Sequence, residues 1–331
     1  MKSNKKTIYS ALTVVTALLA QLPATAQETV LFSVGTRFND RITGDLNEFA
    51  PKAKIVHLDI DASSISRNVV VDVPVVSDAK IALEHLVEWA EPKNTDKWLA
   101  KISAWQEENP LEMRRDHGLS PQMIMETINE TFPQGIVVTD VGQHQMWATQ
   151  YITMPRGKQM ITSGGLGTMG FGFPAAIGAK IGDPDQDVVC ITGDGGMQMN
   201  MQEMATAICE KVPLTVCILN NYYLGMVRQM QQMFYGKRYE ITCLRRQVGC
   251  PDGCKGPNAA CPPYVPDFVK WAESYGAHGI RVHSEEEARE ALAKAKEYKD
   301  APTVIEFMIA TDELVLPMVK SGNPMSEMIL K

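Results

Sequence analysis

A chain of 331 residues, 45% of them hydrophobic, can bury a substantial core and suggests about two domains. The net charge of −7 is spread over segments of mixed sign without a basic stripe, which argues against nucleic acid as a partner. The seven cysteines do not have the spacing of a disulfide framework, and the apolar runs are too short or too interrupted by glycine to predict a membrane partner.

The first 27 residues differ in composition from the rest of the chain. Three lysines precede an apolar run at residues 8–22, and a small-x-small sequence follows at residues 24–27. This is the pattern of a secretory signal peptide, which would direct the protein to export. The alternative is an unrelated leader joined to a truncated gene.

Residues 28–90 are predicted to form part of an α/β domain, and residues 91–119 to form a helical linker. Residues 30–41 indicate a strand that runs into a glycine turn, and residues 53–61 indicate a second strand that ends in acidic residues. Strands with such ends are common at nucleotide sites. Around the linker we expect two helices separated by a proline break. The tryptophans of this region are interpreted as packing anchors: Trp89, Trp98 and Trp105.

From residue 120 to residue 331 the pattern predicts a doubly wound parallel sheet with helices between its strands. Ser120 and Pro121 provide an N-cap and a first-turn proline for the first helix. Apolar runs rich in β-branched residues predict the strands, which begin near residues 136, 160, 188, 214, 279 and 303. Together with the preceding segment, this makes the predicted fold class α/β.

A β-α-β unit between residues 188 and 225 carries the strongest chemical signal. Its first strand ends at Asp194, which three glycines surround, and its second strand ends at Asn221. Glycines let a ligand approach the backbone closely, and the amides at the following helix N-terminus favour a phosphate. Because the carboxyl ends of parallel strands lie side by side, we expect Asp194 and Asn221 to meet. With a nearby backbone carbonyl they form an incomplete oxygen cage, which is typical of Mg²⁺ bound to a diphosphate.

Three further stretches are candidates for contacts with this ligand. His144 follows the first strand; it could act as a general base or satisfy a backbone carbonyl, but we favour a contact to the diphosphate. Six glycines in residues 163–179 let the backbone press against a flat ligand or a neighbouring helix. A helix predicted at residues 226–239 places three methionines on one face, as an adaptable wall for the core or for a small substrate.

The GDG sequence after one strand and the NN pair after the next resemble the cofactor motif of the thiamine diphosphate-dependent decarboxylases and carboligases. Across residues 30–331, and most strongly across residues 139–239, the chain resembles the acetolactate (acetohydroxyacid) synthase family of these enzymes. The resemblance implies that Mg²⁺ is held by Asp194, Asn221 and the carbonyl oxygen of Tyr223. The implied contacts of thiamine diphosphate are Gln143, His144, Gly167, Met169, Gly193, Asp194, Gly195, Gly196, Asn221, Tyr223, Gly225 and Met226.

The same resemblance implies an activity. In this family, thiamine diphosphate reacts with pyruvate, CO₂ leaves, and the two-carbon remainder is joined to a second 2-ketoacid in isoleucine and valine biosynthesis. Met169 stands where the family has the methionine that supports the bent, reactive shape of the cofactor. Met230 stands at a usual tryptophan position, which leaves the choice between pyruvate and 2-ketobutyrate open.

The resemblance assigns no catalytic residue to this sequence. In the family, a glutamate from the N-terminal domain of a partner subunit activates the aminopyrimidine ring of the cofactor, and no such domain precedes Val30. The chain by itself is therefore expected to bind the cofactor weakly and to turn over little. The expected partners are a second copy or another chain that supplies this domain, a small regulatory subunit, and 2-ketoacids. The family implies a cytoplasmic location, although the leader leaves export open.

The segment VGTRFNDRITG and the strands around it resemble the central domain of the same family, which holds FAD. The implied flavin-contacting positions are Gly35, Arg37, Asn39, Arg41, Asp59 and Ile60. Asn39 stands where the family usually has aspartate. FAD binding and a leftover sheet edge are equal alternatives, because the segment has only a few strands and cannot enclose a flavin.

A separate motif consists of four cysteines in a loop of glycine, proline and basic residues: Cys243, Cys250, Cys254 and Cys261. The intervening six, three and six residues differ from the paired C-x₂-C spacing usual in zinc and iron–sulfur sites. A metal site, disulfides in an exported chain and free thiols are all left open. Two alternative functions are left open for the chain. The first is another thiamine diphosphate-dependent decarboxylase or carboligase, which would share the GDG and NN motifs. The second is a non-catalytic module whose useful site is the four-cysteine loop.

Overall fold

The computed structural model describes residues 29–113, 118–251, 254, 258, 260–264 and 266–330. The leader predicted at residues 1–27 lies outside the described residues. Within the described part of the chain, no helix is both long and apolar enough to cross a membrane. The chain divides into two compact units, one formed by Met1–Asn109 with Leu316–Lys331 and the other by Pro110–Val315. The domain boundaries predicted from the sequence, after residues 90 and 119, stay predictions.

The first unit contains a three-stranded parallel sheet. Its strands, in spatial order, are β1 (Thr29–Val34), β2 (Ala53–Asp59) and β3 (Val73–Val76). Branched side chains of β2 and β3 form a small core together with Ala82. A sheet of three short strands buries little apolar surface, so this core alone contributes modest stability.

Within its described residues, this unit has three α-helices: α1 (Asp40–Thr43), α2 (Ala79–Trp89) and α3 (Asp96–Glu108). α2 begins after Asp78, whose carboxylate accepts two backbone N–H groups of the first turn at 2.9 and 3.2 Å. The gap between α2 and α3 agrees with the predicted helix, break and helix. No residue of α3 is buried, and Trp98 and Trp105 pack edge to face on each other, with ring centroids 6.2 Å apart. These two tryptophans thus pack on each other at the surface of the helix, and their interpretation as packing anchors stays a prediction.

The second unit is built around a six-stranded sheet in which all neighbouring strands are parallel. Its strands, in spatial order, are β5 (Met160–Thr162), β4 (Ile136–Thr139), β6 (Val188–Gly193), β7 (Thr215–Asn220), β9 (Thr303–Met308) and β8 (His278–Val282). Every residue of β4, β6 and β7 is buried, so both faces of the sheet are covered. This confirms the predicted doubly wound parallel sheet.

The helices of this unit are α4 (Pro121–Thr131), α5 (Gln143–Tyr151), α6 (Gly172–Gly182), α7 (Asp194–Met197), α8 (Met204–Cys209), α9 (Gly225–Phe234), α10 (Phe268–Ser274) and α11 (Glu285–Glu297). α9 ends before the predicted residue 239 because Gly236 and Lys237 adopt left-handed backbone conformations, with φ of 62° and 58°. α10 begins later than the predicted residue 266 because Asp267 is its N-cap, accepting the backbone N–H of Lys270 at 3.3 Å.

The register of the central strands decides which side chains meet at the edge of the sheet. Gly193 of β6 is paired with Leu219 of β7, and Thr139 of β4 is paired with Ile191 of β6. The residues that follow these strands therefore emerge together at the carboxyl edge. Ligands of open parallel sheets bind at this edge, where the strand order reverses between β4 and β6.

Candidate functional site

A cleft opens at the carboxyl ends of β4, β6 and β7. It encloses about 460 Å³, including space that is open to solvent. Apolar side chains from separate parts of the second unit, including Trp147, Leu224 and Ile309, contribute to its walls. The cleft brings together nearly all residues predicted as cofactor contacts: Gln143, His144, Met169, Gly193, Asp194, Gly195, Gly196, Asn221, Tyr223, Gly225 and Met226.

Two of the residues discussed for this site lie outside the lining of the cleft. Gly167 is exposed, with a left-handed φ of 63°, and a Cβ built on it would be 3.7 Å from a methyl carbon of Val141. Met230, which stands at the position expected to influence the second substrate, is half-buried on α9 and is not among the lining residues of the described structure. Val141, which lies next to Gly167, is among the lining residues of the cleft.

Asp194 presents a buried oxygen atom that lacks a partner. Its side chain is 2% exposed, and Oδ1 accepts the backbone N–H of Gly195 at 3.0 Å. Oδ2 is buried without a hydrogen bond from any described residue. Burial raises the pKa of this carboxyl group to about 8, more than the backbone N–H groups around it lower it. A cation bound at Oδ2 would remove both the unsatisfied atom and the cost of burying the charge.

Asn221 is held by a chain of buried side-chain amides. Its Oδ1 accepts the backbone N–H of Tyr223 at 3.0 Å, and its Nδ2 donates to Oε1 of Gln143 at 3.2 Å. Nε2 of Gln143 donates to Oε1 of Gln229 on α9 at 2.8 Å. Gln229 in turn forms two hydrogen bonds with the backbone of Val315, at 2.8 and 2.9 Å. The amide chain fixes the direction of the Asn221 oxygen, which keeps one lone pair for a further ligand.

The neighbouring asparagine has a different role. Nδ2 of Asn220 donates to the buried Oε1 of Glu306 at 2.7 Å, and its Oδ1 accepts the backbone N–H of Tyr222 at 3.0 Å. Tyr222 has a φ of 67°, an uncommon conformation for a non-glycine residue. The carboxylate of Glu306 is neutralised by Arg281, at 2.8 Å. Asn220 therefore stabilises the backbone of the turn, whereas Asn221 faces the cleft.

Glycines keep the floor of the cleft open. A Cβ built on Gly196 would overlap Oδ1 of Asp140, and one built on Gly225 would overlap Oε1 of Gln143 and stand 2.7 Å from Nδ2 of Asn221. Each glycine thus allows a close approach that any side chain would block. Glycines at the first turns of α7 and α9 are the setting in which backbone N–H groups commonly approach diphosphate oxygens.

His144 lies against the backbone of this floor. A Cβ on Gly193 would be 2.9 Å from Nδ1 of His144, and a Cβ on Gly142 would be 2.8 Å from its Cε1. The ring is buried, and Nε2 has no hydrogen-bond partner among the described residues. Burial lowers the pKa of His144 to about 4, although Asp140 acts in the opposite direction. The imidazole is therefore neutral at pH 7, so it can donate or accept one hydrogen bond without adding charge.

Asp140 is a positioning residue that the sequence interpretation did not assign. Its Oδ1 accepts the backbone N–H groups of Val141 and Gly170 at 2.8 and 3.1 Å, and its Oδ2 accepts that of Gly172 at 2.7 Å. Asp140 thus fixes the glycine-rich segment at the start of α6 to the end of β4. An acidic residue directly after a buried strand was the only sequence signal for this role.

The donor set fits Mg²⁺ with a diphosphate rather than a cation held by protein alone. Among the described residues, no group of three or more histidine, cysteine, aspartate or glutamate side chains could hold a metal ion. The cleft instead offers one carboxylate oxygen, one amide oxygen and the backbone of Tyr223. Mg²⁺ usually completes such a partial set with phosphate and water oxygens. The unpartnered oxygen of Asp194 and the glycine floor are consistent with this combination.

The first unit places the predicted flavin positions near the carboxyl edge of its own sheet. Gly35 follows β1 with a φ of 62° and donates its N–H to the carbonyl oxygen of Leu58 at 2.8 Å. Asn39 is the N-cap of α1, accepting the N–H of Arg41 at 3.2 Å. Ile60, after β2, is 71% exposed. The positions discussed for this edge are Gly35, Arg37, Asn39, Arg41, Asp59 and Ile60. Their contact with FAD stays a prediction.

Comparison with known proteins agrees with the geometry of the cleft. Residues 140–307 match the family model described as "Thiamine pyrophosphate enzyme, C-terminal TPP binding domain". Residues 16–86 match "Thiamine pyrophosphate enzyme, central domain", a match that begins within the segment predicted as a leader.

Individual relatives agree with these family matches. The chain is 41% identical to the acetolactate synthase large subunit of Corynebacterium glutamicum over 306 residues, which cover 90% of this chain and 47% of the relative. It is 39% identical to the acetolactate synthase of Mycobacterium bovis (93% and 49% covered) and 38% identical to the large subunit of Haemophilus influenzae (91% and 51% covered). The chain thus spans about half the length of these relatives. By these matches, the chain belongs to the thiamine pyrophosphate enzyme family.

Proposed function

We propose that this chain carries the thiamine diphosphate and Mg²⁺ site of an acetolactate synthase. The observation that carries the proposal is the unpartnered Oδ2 of buried Asp194, across a glycine floor from the fixed amide of Asn221. About 40% identity to acetolactate synthases over nine tenths of the chain supports this reaction over that of other thiamine diphosphate enzymes.

Each group in the cleft then has a defined task. Asp194, Asn221 and the carbonyl oxygen of Tyr223 would hold Mg²⁺, which neutralises the diphosphate. Neutral His144 and the backbone N–H groups around Gly195 and Gly196 would donate the remaining hydrogen bonds to oxygens of that group. The cofactor, once bound, supplies the electron sink for decarboxylation of a 2-ketoacid. The protein's part is placement of the cofactor and exclusion of water by the apolar walls.

The substrates follow from the same assignment. Pyruvate would be the first substrate, and pyruvate or 2-ketobutyrate the second, with Met226 and the exposed Val227 of α9 on the apolar side of the cleft. We also propose the partners implied by the family: a second copy or another chain that completes the site, and a small regulatory subunit. FAD in the first unit and a cytoplasmic location belong to the same proposal.

The test is binding of thiamine diphosphate to the full chain by calorimetry, with Mg²⁺ and with a chelator. We expect Mg²⁺-dependent binding, and we expect Asp194→Asn to weaken it at least about 100-fold, since a charged ligand of the cation is lost. Asp185→Asn, which changes an exposed carboxylate outside the cleft, should leave binding unchanged. Equal affinity in both variants, or binding that does not require the cation, would contradict the proposal.

Product analysis separates the neighbouring reactions. With pyruvate as the only substrate, the proposed activity gives acetolactate, whereas a simple decarboxylase of the same family gives acetaldehyde. Binding is measured first because it tests the site without requiring turnover. If cofactor binds and acetaldehyde is the main product, the site assignment stands and the assignment to acetolactate synthases does not.

A further inference from the structure

The loop between α9 and α10 brings one tyrosine close to the turns that form the cofactor cleft. Its four cysteines form no metal-binding group among the residues that the structure describes. Tyr264, three residues beyond the last of these cysteines, is half-buried and packs against the core of the second unit. Its ring centroid lies 5.9 Å from that of the buried Phe268 on α10. Tyr264 is not among the lining residues of the described cleft, so it can affect a bound cofactor only through other groups.

The hydroxyl group of Tyr264 is connected to the turn after β6. Nε2 of Gln198, the residue that follows α7, donates to this hydroxyl oxygen at 2.8 Å and to the backbone carbonyl oxygen of Asp194 at 3.2 Å. Burial, followed by the negative charge of Asp194, raises the pKa of the phenol above its ordinary value, so the group stays protonated near pH 7. The hydroxyl therefore fixes the side-chain amide of Gln198, and this amide in turn fixes the backbone of Asp194.

The ring of Tyr264 is connected to the turn after β7. It packs on the ring of Tyr222, with the centroids 5.5 Å apart and an angle of 54° between the planes. The guanidinium of Arg245 lies 4.8 Å from the ring centre of Tyr222. Arg245 also donates to the carbonyl oxygens of Cys261 and Pro262, at 3.2 and 2.8 Å, and so fixes the segment that leads to Tyr264. Contacts on the Tyr222 ring support a residue whose backbone has a left-handed φ of 67°.

The sheet alone does not fix these two turns. The pairing between β6 and β7 ends at Gly193 and Leu219, whereas Asp194 and Asn221 lie beyond these residues. A group that contacts both turns can therefore determine how the two side chains are placed. Tyr264 makes both contacts with one side chain, through Gln198 on the first turn and through its ring on the second.

We propose that Tyr264 is a positioning residue that holds the turns after β6 and β7 in place relative to each other, and thereby places Asp194 for Mg²⁺. The inference rests on the proposed function and deepens it. Mg²⁺ demands near-ideal octahedral geometry, so a small displacement of one protein ligand weakens its binding. The hydroxyl of Tyr264 touches neither the cation nor the cofactor, and its effect is transmitted through Gln198.

The first experiment removes the hydroxyl group and keeps the ring. In the full chain, Tyr264→Phe should weaken Mg²⁺-dependent binding of thiamine diphosphate about tenfold, as measured by calorimetry, because one buried hydrogen bond is lost. Tyr275→Phe is the matched control, since Tyr275 is exposed and is not among the lining residues of the described cleft. This control should bind as the unchanged chain does.

A second variant tests the route through Gln198. Gln198→Leu removes the hydrogen bonds to both Tyr264 and Asp194. If the hydroxyl acts through this amide, the double variant should bind no more than about twofold more weakly than Gln198→Leu alone. Losses that multiply in the double variant would overturn the inference.

Amide hydrogen exchange without any ligand makes the test independent of cofactor binding. Tyr264→Phe should speed exchange in Asp194–Met197 about fivefold, and Tyr275→Phe should not. Unchanged exchange in this segment would overturn the inference. A lower stability in urea with an unchanged dissociation constant would also overturn it, because that result marks a merely structural role. Faster exchange in Tyr264→Phe, with no Mg²⁺-dependent binding by the unchanged chain, would contradict the proposed function but support the positioning of the turns.

Discussion

Two buried titratable groups at the cleft, Asp194 and His144, are shifted toward their neutral forms by the same physical cause. Removal from water raises the pKa of the carboxyl group to about 8 and lowers that of the imidazole to about 4. Near neutral pH the protein without a cation therefore carries little charge in this cavity. If Mg²⁺ binds at Asp194 as proposed, its binding should release a proton, and the unpartnered Nε2 of His144 is left as a neutral hydrogen-bonding group.

The burial of His144 predicts a specific loss of stability in acid. Its pKa is about 4 in the folded protein and 6.5 in the unfolded chain, so the unfolded state binds more protons between these values. Stability is fully present above pH 6.5 and is lost as the pH falls toward 4, by up to about 3 kcal/mol from this residue. His144→Asn should remove this part of the slope, as measured by urea unfolding across that range without cation or cofactor.

His283→Asn is the control, because His283 is exposed and should leave the slope unchanged. Asp194 contributes a slope of the opposite sign, since its raised pKa makes the folded state lose stability as the pH rises toward about 8. That contribution is present in all three proteins, so it cancels in the comparison. If His144→Asn and the unchanged chain lose stability in parallel, the imidazole is not buried in its neutral form.

At the level of single residues, the sequence was sufficient where a side chain acts on its own strand end. Asp194 and Asn221 could be placed because each follows a buried run with a clear β pattern. Asp140 could not be assigned, because its partners are backbone N–H groups of Gly170 and Gly172, which approach it only after the chain has folded. Likewise, nothing in the local sequence distinguishes Asn220, which stabilises the turn, from Asn221, which faces the cleft.

At the level of elements, the floor of the cleft depends on how closely α9 approaches the turns after β4 and β7. Gly225 is the first residue of α9, and its lack of a side chain leaves room for the amides of Gln143 and Asn221. The strands were predictable because their apolar runs are continuous. The end of α9 was not, because it is decided by left-handed residues beyond the helix rather than by hydrophobic periodicity.

A methyl group in the space beside Gly225 should weaken both folding and cofactor binding. Gly225→Ala places a methyl group against Gln143 and Asn221, so we expect about 1–3 kcal/mol of destabilisation and a loss of Mg²⁺-dependent thiamine diphosphate binding. Gly178→Ala, within α6 and with no atom near the new methyl group, should instead stabilise by about 0.5–1 kcal/mol and bind normally. Unfolding and calorimetry on the two variants make the comparison; normal binding by Gly225→Ala would contradict the proposed position of the cofactor.

At the level of the whole molecule, the two units have separate cores, and they differ in how far the sequence predicts them. The strands and helices of the second unit could be predicted from local sequence patterns. The first unit includes Leu316–Lys331, joined to it by contacts such as that of the Asp45 N–H with the carbonyl oxygen of Asn323, at 3.0 Å. Contacts between segments so distant in sequence leave no periodic signal, so this grouping could not be inferred from the sequence alone.

Binding of the cofactor should therefore slow amide hydrogen exchange in the second unit and not in the first. At a concentration 100 times the dissociation constant, a ligand stabilises the folded state to which it binds by about 2.7 kcal/mol. With Mg²⁺ and thiamine diphosphate, we expect slower amide hydrogen exchange in Asp194–Met197 and Gly225–Phe234, and no change in β1 or β2. Hydrogen exchange with mass spectrometry measures this, with thiamine diphosphate plus chelator as the control. Equal protection of β1 and β2 would show that the cofactor binds elsewhere.

The two adjacent asparagines at the end of β7 lead to a conclusion about how variants of this protein should be judged. Asn220 holds Glu306 and the left-handed Tyr222, whereas Asn221 is fixed through Gln143 toward the cleft. We expect a change at the first position mainly to lower the amount of folded protein, and the same change one step later mainly to weaken binding of the proposed cofactor. Chemically identical neighbours thus give rise to two kinds of defect, and only one of them can be compensated by supplying more vitamin.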